Sequence, residues 1–342
     1  MTAIASPARA VARDRARSVV VEVDELVRRF DDVVAVDGIS FEVAEGEVFG
    51  FLGPNGAGKS TTINVLCTLL RPTSGSARIA GLDVVAEPLA VRRQIGLVFQ
   101  DTTLDDYLTA EENLSFHAEL YGVDPAQLGE RLDAVLEMVD LADRRDHLVG
   151  TFSGGMKRRL EIARGLIHSP RVLFLDEPTV GLDPQTRSHI WAYINELRVR
   201  EQITIFLTTH YMEEAEHCDR IAIIDHGSLV AIDSPDALKA TIGKDRIELH
   251  VEDAAATIAA LREQFGIEAR LSEGAVAFHV AGGEEFVPHL FAELGEPVQS
   301  IRVARPTLDD VFMAYTGRTI RDAEASTGER LRASAMRWRR GR

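Results

Sequence analysis

The sequence predicts an α/β body built on parallel strands, followed by a small α+β domain. Three observations predict it. Strand-like runs alternate with helical ones as far as about residue 225, the order that builds a parallel sheet with helices on its faces. Residues 172–175, Val-Leu-Phe-Leu, form a continuous apolar run, the kind buried on both faces of such a sheet. Around Gly243 the rhythm changes to β-α-β-β-α-β, the split βαβ or ferredoxin-like order.

The elements follow in chain order. Residues 18–23 and 38–43 are rich in β-branched side chains and read as strands, and 47–52 is a short, mostly apolar strand. A Gly-rich turn leads into a helix over 59–70. Short strands are expected at 77–80 and 95–99. The pattern from 109 to 141 is helical, with Leu128, Leu132, Val135, Leu136 and Val139 on one face. A helix over 156–168 is stopped by Pro170. After the 172–175 strand come a helix at 187–198, a strand at 203–207, a helix at 212–218 and a strand at 220–225. Strands at 247–251, 267–271, 276–280 and 298–303, with helices at 254–265 and 285–294, make up the second domain, and 307–315 adds a short amphipathic helix. The expected organisation is a basic flexible arm (1–17), a body (18–243) with a helical subdomain at about 101–160, an accessory α+β domain (244–317) and a basic flexible tail (318–342).

The chain has 342 residues and a net charge of −16, from 38 Lys+Arg against 54 Asp+Glu. An acidic protein repels phosphates, which argues against nucleic acid as a partner. The basic residues gather at the ends: four Arg against Asp14 in the first 17 residues, and eight Arg against three acids from Arg318 onward. Such ends are either solvated tails or contacts for anionic lipid. Two cysteines, Cys67 and Cys218, are too few for a disulfide framework or a structural zinc site and fit a reducing compartment. No apolar run approaches the ~18–20 residues that span a bilayer, and the N-terminal arm lacks a signal-peptide core. Any action at a membrane then needs another chain to span it.

The chemistry centres on Gly53-Pro54-Asn55-Gly56-Ala57-Gly58-Lys59-Ser60, followed by Thr61, between a strand and a helix. This fits G-x-x-x-x-G-K-[ST]: the glycines let backbone N–H groups curl around phosphates, the helix N-terminus favours an anion, Lys59 reaches the β/γ-phosphates and Ser60 ligates Mg²⁺. ATP and Mg²⁺ are therefore the expected ligands. Asp176 and Glu177 end the 172–175 strand. Asp176 is suited to hold Mg²⁺ through its water shell, and Glu177 to polarise an attacking water as general base.

Two further segments, Phe152-Ser153-Gly154-Gly155-Met156 and Gly181-Leu182-Asp183, flank Asp176-Glu177-Pro178-Thr179. Together with the phosphate loop, and over roughly residues 18–235, they resemble the nucleotide-binding subunit of an ABC transporter. The resemblance implies a RecA-like P-loop NTPase cassette. It implies that Phe30 stacks on adenine, where many members have Tyr, and that Gln100 touches Mg²⁺ and the attacking water. It further implies that Ser153, Gly154 and Gly155 form a signature loop, that Asp183 belongs to the D-loop, and that His210 contacts the γ-phosphate. In that family the signature loop faces the phosphate loop of a second cassette, so two copies, or one copy and a relative, are needed.

Finer detail is similar to daunorubicin-resistance-type exporter ATPases: Ser153-Gly-Gly-Met-Lys-Arg-Arg-Leu-Glu-Ile-Ala163, Leu207-Thr-Thr-His-Tyr-Met-Glu-Glu-Ala215 and Arg305-Pro-Thr-Leu-Asp-Asp-Val-Phe312. Some such exporters carry Gln at the position of His210, so the histidine here is a departure. The implied protein sits peripherally on the cytoplasmic face of the cell membrane, with a transmembrane permease as partner, and powers export of a drug-like or lipid-like compound. The alternatives are an importer ATPase and a soluble regulatory protein of the same type. Phe116, Leu120 and Tyr121 are candidates for the groove that receives the permease, or for the subdomain's own core. Tandem and coiled-coil relatives fit poorly, because one cassette is present and the stretch from Lys59 to Ser153 has no sustained heptads.

Overall fold

The computed structural model describes residues 18–317 apart from Glu273 and Glu296. The two basic arms lie outside the described residues. The chain forms two compact units that divide between Ile232 and Asp233.

In the first unit, β1 (Val19–Phe30) and β2 (Val33–Ala44) form a long antiparallel pair, extended by β4 (Ser74–Ile79) and β5 (Leu82–Asp83) into a sheet of order β2-β1-β4-β5. Both long strands outrun the expected 18–23 and 38–43. The alternation is broken between Val23 and Leu26, where the register shifts, Glu25 has φ 46° and Gly38 on the facing strand has φ 63°. Bulges of this kind interrupt the period-two pattern that the sequence displays.

A second sheet carries β3 (Val48–Leu52), β6 (Ile95–Val98), β7 (Val172–Asp176), β8 (Thr204–Thr209), β9 (Arg220–Asp225) and β10 (Ser228–Asp233) in the order β10-β9-β3-β8-β7-β6. β3 runs parallel to β8 and β9, and β7 runs parallel to β6 and β8. Every residue of β3, β7 and β8 is buried. Phe41 of β2 stacks on Phe49 of β3 at 5.5 Å between ring centroids, and Phe206 of β8 lies 5.4 Å from Phe49 and 5.3 Å from Phe174 of β7. This aromatic cluster joins the two sheets into one core and fixes the strand ends that carry the site.

Helix α1 (Lys59–Leu66) stops short of the expected residue 70, because Thr68 adopts φ 62°. After α2 (Pro88–Gln94), the stretch 109–141 resolves into α3 (Ala110–Leu120) and α4 (Pro125–Met138). Gly122 at φ 70° ends the first, and Asp124 caps the second with Pro125 in its first turn. These two pack with α5 (Gly154–Leu166), and α6 (Pro184–Glu201) and α7 (Met212–Ala215) follow β7 and β8.

The second unit starts at Asp233, ten residues before the boundary expected at Gly243, since its first helix, α8 (Pro235–Ile242), packs against α11 (Leu308–Thr316) of the same unit. Between them run β11 (Asp245–Val251), α9 (Ala254–Phe265), β12 (Arg270–Ser272), β13 (Ala275–Val280), α10 (Gly283–Glu293) and β14 (Val298–Ala304). The chain order is β-α-β-β-α-β and the sheet order β12-β13-β11-β14. Leu249, Leu261, Val276, Phe278 and Leu290 make a core of its own.

Candidate active site

The phosphate loop joins β3 to α1, and its shape depends on two glycines. Gly58 has φ 110°, and a Cβ there would lie 2.5 Å from the Ala35 carbonyl oxygen. A Cβ on Gly53 would lie 2.4 Å from the Ile224 carbonyl oxygen. Only glycine lets the loop lie this close to β2 and β9. The loop is also tied from behind: the Gly227 N–H donates to the Ala57 carbonyl at 2.9 Å, and the Gly227 carbonyl accepts from Asp37 N–H at 2.8 Å. Asn55 and Gly56 stay exposed, whereas Ala57, Gly58 and Lys59 are buried and Ser60 and Thr61 are half-buried.

Lys59 is 4% exposed and donates to the Gly53 and Pro54 carbonyls at 2.7 and 3.2 Å. Its Nζ also lies 3.2 Å from Oε1 of Glu177, which is 6% exposed. His210 Nδ1 is 3.3 Å from the same oxygen. Burial would raise the Glu177 carboxyl, but His210 and the Lys59 charge outweigh it and hold the group below the usual carboxylate range. Glu177 itself is strained, at φ 47°, and its N–H donates to Thr208 Oγ1 at 3.0 Å.

Ser60 Oγ donates to Asp176 Oδ1 at 3.2 Å, and Thr208 Oγ1 donates to the same oxygen at 2.5 Å. A hydroxyl and a carboxylate oxygen, with no third acidic or imidazole ligand clustered among the described residues, suit a hard cation that keeps most of its water. The curled loop, the N-terminal end of α1 and these two oxygens therefore fit a nucleotide phosphate with Mg²⁺.

The remaining sequence-predicted residues lie on other segments of the chain. Phe30 ends β1, 40% exposed, with the Arg28 guanidinium 4.4 Å from its ring centroid. Gln100 is exposed, two residues beyond β6. Ser153 caps α5, its Oγ accepting from Met156 N–H at 3.3 Å, and Ser153 and Gly154 are exposed. A Cβ on Gly155 would lie 2.6 Å from Thr186 Cγ2, so this helix start packs on α6. Asp183 caps α6, accepting from Thr186 N–H at 3.0 Å and Thr186 Oγ1 at 2.6 Å. Phe116 lines a cavity with Leu108, Asn113, His117 and Arg164, while the Tyr121 ring stacks on His168 at 4.1 Å and Leu120 is exposed.

Several residues that the motifs do not single out hold the site together. Thr208 bridges Asp176 and Glu177 as described. Arg158, 5% exposed, donates to the carbonyls of Phe99, Pro178 and Asp176 at 2.5, 2.7 and 3.2 Å, and pairs with Glu161 at 3.1 Å. Glu161 in turn accepts from Thr103 N–H at 2.8 Å. One buried guanidinium on α5 thus joins the segment before Gln100 to the turn after Asp176. An arginine and a glutamate at i, i+3 in a helix otherwise read as a surface pair.

Residues 36–180 match the ABC transporter family, and residues 234–316 match the ATP-binding protein DrrA1-3-like C-terminal domain. The chain is 39% identical over 319 residues to the daunorubicin resistance ATP-binding protein DrrA2 of Streptomyces coeruleorubidus, covering 89% of this chain and 97% of that one. It is 38% identical over 310 residues to the linearmycin resistance ATP-binding protein LnrL of Bacillus subtilis, covering 88% and 99%. Among solved structures, the cassette MJ0796, a dimer in a post-hydrolysis state bound to ADP and Pi, superposes with a TM-score of 0.57 at 27% identity over 63% of this chain and 98% of that one.

Proposed function

This chain belongs to the ATP-binding proteins of ABC transporters, and from that premise we propose that it hydrolyses Mg-ATP in a head-to-tail pair of cassettes and so powers export of a drug-like or lipid-like compound through a separate transmembrane permease. The similarity to proteins named for drug resistance runs through the C-terminal domain as well as the cassette, which favours export over import. Among the described residues no helix is long and apolar enough to cross a membrane, in keeping with a partner that does the spanning.

The observation that carries the hydrolytic reading is the convergence of Lys59 and His210 on Glu177, beside the Ser60–Asp176 pair. In this reading Ser60 and Asp176 hold Mg²⁺, with Gln100 reaching it from the end of β6. Bound Mg²⁺ supplies charge neutralisation on the phosphate oxygens. Lys59 turns from the Gly53 and Pro54 carbonyls toward the β/γ-phosphates, which frees Glu177 to accept a proton from the attacking water while His210 faces the γ-phosphate. Phe30 stacks on adenine, and Ser153, Gly154, Gly155 and Asp183 serve the nucleotide of the second cassette.

Two variants test the hydrolytic part. Lys59→Ala loses ATP affinity. Glu177→Gln keeps ATP binding, loses about 10²–10⁴ in turnover and accumulates as an ATP-bound pair detectable by light scattering. Near-normal turnover in Glu177→Gln overturns the assignment. For the transport part, the chain is expected to co-purify with a membrane-spanning protein and to lower cellular accumulation of a drug only when Glu177 is intact.

A further inference from the structure

Glu214 lies in α7, 1% exposed, a carboxylate as buried as a core leucine. Burying such a group is costly unless its oxygens are paired. Here both are, and the partners come from different segments. Oε1 accepts from Thr179 Oγ1, and Oε2 accepts from Thr209 Oγ1 at 2.7 Å. Thr179 lies two residues after Glu177 on the turn leaving β7, and Thr209 directly precedes His210 at the end of β8. Both threonines are buried. Thr209 Oγ1 also accepts from Tyr211 N–H at 2.9 Å, which fixes the backbone on the far side of His210. A second tie runs in parallel: the Arg187 guanidinium of α6 lies 4.2 Å from the Tyr211 ring centroid and 3.9 Å from Glu213 Oε2, while the Tyr211 and His210 rings are 4.1 Å apart.

We infer that Glu214 is a positioning residue, a buried bracket that sets the separation of Glu177 and His210 by holding the two turns through Thr179 and Thr209. The inference rests on the reading of Glu177 and His210 as the groups that act on water and the γ-phosphate. The 3.3 Å between His210 Nδ1 and Glu177 Oε1 is then an outcome of the bracket, not of the two side chains alone. Burial also raises the Glu214 carboxyl, against the hydrogen bond from Thr209, and the bracket itself is made of hydrogen bonds. A glutamine can do the same, because a threonine hydroxyl can turn from donor to acceptor.

The test uses the full chain with kcat, KM for ATP, nucleotide affinity and melting temperature measured together. Glu214→Leu, close in volume and unable to bridge, is expected to lower kcat by about 10–100-fold, the scale of a small misplacement of reacting groups, with KM and ATP affinity within about threefold of wild type. Glu214→Gln is expected to restore kcat to within about threefold of wild type. Thr179→Val removes one arm with little change of shape, is expected to lower kcat about tenfold, and adds nothing further to Glu214→Leu. Should Glu214→Leu fail to fold, Thr179→Val and Glu214→Gln decide the matter alone. Unchanged kcat in folded Glu214→Leu or in Thr179→Val overturns the bracket, as does a loss of ATP affinity that parallels the loss of kcat. Glu177→Gln, run beside them, separates the two readings: if it turns over normally the hydrolytic assignment falls, whereas if it is inactive and Thr179→Val is normal only the bracket falls.

Discussion

Replacing Ser153 by arginine separates the two halves of the proposed composite site. Ser153 is exposed, and its Oγ accepts the capping bond from Met156 N–H at 3.3 Å. Losing that cap costs about 0.5–2 kcal/mol. Helix α5 tolerates the loss, since Leu160, Ile162 and Ala163 are fully buried and Arg158 anchors the helix to three carbonyls. The bonds of Lys59 to Gly53, Pro54 and Glu177 and the bond of Ser60 to Asp176 are made without Ser153. The isolated variant should therefore bind ATP within about threefold of wild type, a difference under ~1 kcal/mol. Hydrolysis is expected to fall by about 10²–10³, the usual consequence of removing a preorganised donor from a developing anion. The assays are a fluorescent-nucleotide titration and phosphate release at several protein concentrations. Mixing Ser153→Arg with Lys59→Ala should restore activity, because the mixed pair contains one intact composite site, with the phosphate loop of the first chain facing the signature of the second. ATP binding weakened in Ser153→Arg as severely as in Lys59→Ala would refute the reasoning, and so would mixed chains that stay inactive although they associate.

Three other outcomes are expected. Gly58→Ala should lose ATP binding and melt lower, from backbone strain of about 1–3 kcal/mol at φ 110° plus the approach to the Ala35 carbonyl, whereas Gly81→Ala, with φ 81° and nothing within 4 Å, should retain binding; equal binding by both variants contradicts the packed-loop account. His117 is pushed down to about 4 by burial, with the Arg164 and His168 charges adding to it, so the unfolded chain takes up a proton below about 6.5 while the folded chain does not until about 4; the associated stability is complete above 6.5 and is lost as the pH falls through that window. His117→Gln should therefore lose less melting temperature than wild type between pH 7.5 and 5, and an identical loss counts against this origin. A chain ending at Ile232 should still bind ATP, because residues Phe30 to His210 lie in the first unit with a core of their own, and a folded truncation that has lost nucleotide affinity contradicts that independence.

The parts of the site legible in the sequence are those set by one local turn. Gly53 to Ser60 announce a loop because their spacing and glycines serve a single strand-to-helix junction. The ferredoxin-like order of the second unit was equally readable, since each strand and helix carries its own hydrophobic period. What the sequence hides depends on strand order. β3, β8 and β7 are neighbours, so the loop after β3, the turn after β8 and the turn after β7 open on one edge of the sheet. Their carboxyl ends form the crevice in which open α/β sheets bind ligands. That adjacency, and not proximity in sequence, brings Lys59 to 3.2 Å and His210 to 3.3 Å from the Glu177 carboxylate.

The same reasoning explains why Thr208, Thr209 and Glu214 escaped a reading of hydrophobicity. The expected strand stopped at residue 207 because two threonines and a histidine follow, which resembles the polar end of a strand. In the structure the strand continues through Thr209, and both threonines are buried with their hydroxyls turned to inward work. Thr208 spans Asp176 and Glu177, and Thr209 joins Glu214 to Tyr211 N–H. A buried hydroxyl that both donates and accepts can join two backbone segments without bringing a charge into the core, which a lysine or aspartate at the same point could not do. The polar residues at the end of β8 are thus part of the interior, where they tie the turn after β7 to the turn after β8.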